Sequence, residues 1–68
     1  MASGKVKWFD NKKGYGFIVC DDLDSEVLVH HTAILTEGFR TLSEGEMVDF
    51  ELVESAKGFK ASNVRRAP

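Results

Sequence analysis

Nowhere in this 68-residue chain do apolar side chains recur at helical spacing over about ten residues. What recurs instead is alternation. In "MVDFELV" Val48, Phe50 and Leu52 fall on one side and Asp49 and Glu51 on the other, as on a half-buried strand. "GKVKWFD" alternates through Lys5, Val6, Lys7 and Trp8, and "YGFIVC", "EVLVHH" and "FKASNVRR" are further short runs rich in β-branched and aromatic residues. "NKKG", "DDLDS" and "ESAKG" separate them as turns, "TAIL" has room for one helical turn, and "TEGFRTLSEGE" is a polar loop with two glycines. Five short strands in one small domain, residues 1–68, must hide their edges, and closure into a barrel does so. The sequence therefore predicts an all-β, five-stranded antiparallel barrel of the OB type, a fold whose strand 2–3 face binds oligonucleotides.

Alternation also assigns faces. In the second strand Tyr15, Phe17 and Val19 share one side and Gly16, Ile18 and Cys20 the other; in the third, Val27 and Val29 oppose Leu28 and His30. Placing Ile18, Val27 and Val29 inside with Val6, Val48, Phe50 and Leu52 turns Tyr15, Phe17, Leu28 and His30 outward. A narrow barrel takes few rings, and an unpaired histidine is costly to bury.

The formal charge is -2, yet it is unevenly spread. Lys5, Lys7, Lys12 and Lys13 crowd the start, and Lys57, Lys60, Arg65 and Arg66 the end, around an acidic middle. If the fold joins the two ends, an acidic protein gains a positive face. The single cysteine allows no internal disulfide and fits a reducing compartment. Without a signal-like start or an apolar run of spanning length, a cytoplasmic protein without membrane attachment is expected.

Rings at i and i+2 on a strand lie about 6.6 Å apart, so successive splayed bases each find a partner, and stacking accepts any base. Tyr15 and Phe17 have that spacing, with lysines before them for phosphate. Gly14 suits a turn, and Gly16 the close approach of a backbone or a ligand. By periodicity alone the same rings could equally be core. Carboxylates at Asp22, Asp24 and Glu26 echo a calcium loop but lack its glycine, and read as a hairpin tip. Cys20, His30 and His31 lack metal-ligand spacing, so no metal and no cofactor is expected.

"KGYGFI" resembles the RNP1 motif. "GKVKWFDNKKGYGFI", "VLVHHTAI", "EGFRTLSEGEMVDFEL" and "KGFKASNV" together resemble the cold-shock domain family, in order and over nearly the whole chain. The resemblance implies an OB barrel that binds single-stranded RNA and DNA with little sequence preference. It further implies an RNA chaperone that melts secondary structure, with roles in transcription antitermination or translation regulation and in stress response. It assigns Trp8, Tyr15, Phe17, His30 and Phe39 to base stacking, Lys7 and Lys13 to phosphates, and Phe9 to the platform's edge or underside. The chain departs from the family at three positions. Leu28 and His31 stand where the family usually has rings, and Phe59 follows Lys57-Gly58 where it has proline. Leu28 keeps apolar contact without a π-face, which predicts weaker binding than a typical member. His31 stacks when neutral and attracts phosphate when protonated, so binding should rise between pH 8 and pH 6. Phe59 either adds a ring to the platform or caps the barrel. A ribonuclease using His30 and His31 needs the strand to break between them, since neighbours on a strand face opposite ways. A peptide-binding barrel is the remaining alternative, and a weaker salt dependence distinguishes it. A non-enzymatic monomer is expected, with strand exchange through the Thr36–Glu46 loop as the route to a dimer.

Overall fold

The computed structural model describes residues 2–20, 23, 25–35 and 41–67. Strands β1 (Ala2–Asp10), β2 (Tyr15–Val19), β3 (Glu26–His30), β4 (Met47–Ser55) and β5 (Gly58–Arg66) close into a barrel in the order β1-β2-β3-β5-β4. The expected helical turn is the short 3-10 turn His31–Ala33, which begins one residue before "TAIL" and so shortens the third strand by one residue. The pairings are antiparallel except between β3 and β5. That exception is geometric, because a closed ring with an odd number of strands cannot alternate direction at every junction.

The interior holds Val6, Ile18, Val27, Val29, Ile34, Val48, Phe50 and Val64, all essentially inaccessible, with Cys20, Leu42 and Ala61 around them. Each large apolar side chain buried there stabilises the barrel by about 1.5–3 kcal/mol before entropy is counted. Alternation selected this face correctly at Val6, Ile18, Cys20, Val27, Val29, Val48 and Phe50, but not at Leu52, which is 39% exposed. The pairing explains the difference. β1 runs beside β4 only from Ala2 opposite Phe50 to Lys5 opposite Met47. Beyond Phe50, β4 pairs with β5 alone, so Leu52 lies on a hairpin that projects past the closed wall.

The ladder between β4 and β5 also slips. Asp49 faces Arg65 and Glu51 faces Ser62, leaving one extra residue on β5. Asn63 takes up the bulge with φ 51°, a left-handed conformation that asparagine tolerates better than most residues.

Candidate nucleic-acid interface

Strict alternation from the buried Val6 would send Trp8 into the barrel. A bulge in β1 prevents this. Val6 pairs with Ile18 and Trp8 with Phe17, so Lys7 is an extra residue without a partner on β2. The phase of the strand shifts by one, and Trp8 joins Phe17 on the outer face. The ring centroids of Trp8 and Phe17 lie 5.3 Å apart, those of Trp8 and Tyr15 5.7 Å, and those of Tyr15 and Phe17 6.5 Å. Phe9, back in phase, sits beneath them against the core. Opposite it is Gly16, where a Cβ would lie 2.2 Å from the Trp8 carbonyl oxygen and 2.7 Å from Phe9 Cα. The close approach that Gly16 permits is therefore that of β1, not of a ligand.

β3 extends the face. Phe17 pairs with Leu28 and Tyr15 with His30, and both β3 side chains are exposed. On the far side Lys60 of β5 registers beside Leu28. Trp8, Phe17, Leu28 and Lys60 thus form one row across four strands. His31 reaches the same region because the strand ends at His30. Its N–H donates to the Gly14 carbonyl at 2.7 Å, and its ring Nδ1 lies 3.3 Å from the same oxygen. A carbonyl only accepts, so Nδ1 is the donor in this contact. Gly14 has φ 79°, and a Cβ there would come 2.6 Å from His31 Nδ1, so this turn and this contact both require glycine. The His30 and His31 rings are 4.5 Å apart. Cys20, inside the barrel, lies on the other side of the wall from the exposed His30.

The basic residues divide. Lys12 and Lys13 stand on the β1–β2 turn, where their backbone N–H groups donate to Asp10 Oδ1 at 2.9 and 3.0 Å. The Lys13 N–H is the main reason the Asp10 carboxyl sits below its usual pKa; desolvation opposes it, and the Lys12 N–H and then the Lys13 charge add to the lowering. Lys7 is engaged by Glu26 at 2.5 Å, an exposed ion pair that charge counting along the sequence did not reveal. The two basic ends of the chain do not merge whole. Lys57 and Lys60 come to the ring face by way of β3, whereas Arg66 binds Glu46 at 2.7 Å and the Thr41 carbonyl at 2.9 Å, fastening the loop before β4. From the sequence Lys57 and Lys60 entered only as part of the basic end and Glu26 only as a hairpin-tip carboxylate; none was assigned to this face, and the lysine pair around Gly58-Phe59 was the signal available.

Phe59 sits between the core and the outer surface. It registers with Val27, is half-buried against the core, and also lines a cleft of about 600 Å³ shared with Phe17 and Leu28. Phe39 lies outside the described residues, as do Asp22 and Asp24 of the expected hairpin tip.

The family model described as the "Cold-shock" DNA-binding domain matches residues 2–67. The chain belongs to the cold-shock domain family. Cold shock-like protein CspA of Stigmatella aurantiaca is 52% identical over 68 residues, the whole of both chains. Cold shock protein CspB of Bacillus caldolyticus is 56% identical over 64 residues, covering 94% of this chain and 96% of that one. Cold shock-like protein CspE of Escherichia coli is 52% identical over 61 residues, 90% of this chain and 88% of that one. Among solved structures, drosophila Unr CSD456 superposes with a TM-score of 0.82 at 19% identity, covering 98% of this chain and 26% of that longer one, a likeness of fold. Cold-shock domains are nucleic-acid-binding domains, and in this member the outer face of β1, β2 and β3 carries the half-buried rings of Trp8, Tyr15 and Phe17 and the exposed ring of His30. Among the described residues no helix is long and apolar enough to cross a membrane.

Proposed function

We propose that this cold-shock domain binds single-stranded RNA and DNA and works as an RNA chaperone, holding melted strands open. Trp8, Tyr15, Phe17 and His30 stack on bases, Leu28, His31 and Phe59 extend the contact surface, and Phe39 is assigned to stacking by the family resemblance. Lys13 and Lys7 meet phosphates, Lys7 while its Nζ still holds Glu26. The observation that supports this best is the outward-facing, half-buried cluster of three rings within 5.3–6.5 Å beside the lysine-bearing turn. Base–aromatic stacking contributes about 1–3 kcal/mol per base and is indifferent to sequence, which suits a protein that must act on many transcripts. A duplex keeps its bases stacked on one another and offers the rings nothing.

No catalysis is proposed. His30 and His31 do converge, but each engages its Nδ1, with Thr32 and with the Gly14 carbonyl respectively. The protein acts as a cytoplasmic monomer in this reading. A hairpin RNA bearing a fluorophore and a quencher tests it. Added protein should open the hairpin at a temperature where it is otherwise closed, less so as salt rises, and leave the RNA uncut. An unopened hairpin, or salt-independent binding as expected for a peptide groove, would contradict it.

A further inference from the structure

β3 and β5 pair through only two residue couples, Val27 with Phe59 and Leu28 with Lys60. N-terminal to these couples the strands part, and the cleft of about 600 Å³ opens between them, well within the size range of small-ligand sites. Its walls are Phe17, Leu28 and Phe59, and its rim carries Glu26 on one side and Lys57 and Lys60 on the other. Phe17 belongs to the ring cluster as well as to the cleft, so a strand laid along the rings continues into it. Phe59 is braced from behind by the core.

We propose that this cleft receives one guanine base of the bound strand, a specificity that rests on the single-strand reading above. The rim chemistry selects the occupant. An ionised carboxylate only accepts hydrogen bonds, with two oxygens and about four lone-pair sites. Lys7 Nζ donates to Glu26 Oε1 at 2.5 Å, which holds the carboxylate at the mouth and leaves capacity on both oxygens. Guanine presents two adjacent donors, N1–H and the N2 amino group, on its pairing edge, and next to N1–H the acceptor O6, which with N7 forms the major-groove edge that lysine recognises. Adenine and cytosine offer a single amino group on the pairing edge, and uracil and thymine a single ring N–H. Guanine therefore satisfies the carboxylate and a lysine together, while its flat rings lie against Phe59 and Phe17.

The test is a Trp8 fluorescence titration with a thymine-only hexamer and with hexamers carrying one guanine moved through each position. Guanine in one register should tighten binding by about tenfold, and inosine, which lacks the N2 amino group, by only about threefold. Glu26→Gln, at an exposed position, should bring the guanine and thymine strands within about twofold of each other, and Phe59→Leu should weaken the guanine strand more than the thymine strand. Equal affinity for all hexamers, or a guanine preference that survives Glu26→Gln, overturns the cleft assignment while leaving single-strand binding intact. Failure of every hexamer to bind overturns the single-strand reading itself, and the guanine site with it.

Discussion

Two bulges break the strand alternation of this barrel, and they serve opposite ends. In β1 the extra residue is Lys7, and the slip turns Trp8 out to meet Phe17. In β5 the slip lies around Asn63, and it lets Ala61 and Val64, three positions apart, both point inward. The first gives up an interior position to turn a ring outward, whereas the second keeps the core continuous where the barrel closes. The charges nearby follow the same division. Lysines on the first turn point to solvent beside the rings, while Arg66 is committed to Glu46 and the Thr41 carbonyl. One device thus builds the recognition surface on one side and the scaffold on the other.

Substitutions at the two bulges should separate binding from stability. Trp8→Ala should weaken binding of a single strand by about 10- to 100-fold, the loss of one stacking partner, with a melting temperature close to the parent's. A large fall in melting temperature would mean that Trp8 is a core residue. Asn63→Val should do the reverse. A β-branched residue held near φ 51° costs about 1–2 kcal/mol of stability, which denaturant titration reads directly, while Asn63→Gly should be close to neutral. Loss of binding in the folded Asn63→Val protein would break the division between the two regions.

Smaller effects sharpen it. Leu28→Phe should tighten binding of a pyrimidine-rich strand by about threefold to tenfold, because it restores a π-face in the row between Phe17 and Lys60. No change would remove Leu28 from the contact surface. The smallest effect concerns Asp10. Its folded carboxyl lies below the ordinary value, so the stability it contributes is present above the unfolded pKa, near 4, and fades as pH falls through the lower folded one. The stability difference between the parent and Asp10→Asn should therefore hold steady from about pH 7 to pH 5 and shrink below about pH 4. A difference that persists at low pH would assign the effect to something other than the turn's N–H bonds to Asp10.

Much of this was legible in the sequence. β-Branched alternation gave the strands, the closed barrel and most of the core, and Tyr15, Phe17, Leu28 and His30 emerged together on one face. Trp8 did not emerge that way, because a period of two points it inward and only the unpaired Lys7 reverses it. Leu52 failed for a complementary reason, since alternation cannot tell where a neighbouring strand ends. The Lys7–Glu26 pair joins residues 19 positions apart across the intervening β2, so no local pattern carries it. Nor could charge counting foresee that the basic C-terminal segment divides, with its lysines beside the rings and Arg66 spent on the loop.

The central claim is that the outward-facing rings around Trp8 hold unpaired bases. Titrating Trp8 fluorescence with one oligonucleotide, first as a single strand and then annealed to its complement, tests it most directly. Strong quenching by the single strand and almost none by the duplex is the predicted result. Equal quenching by both, or none by either, would contradict it.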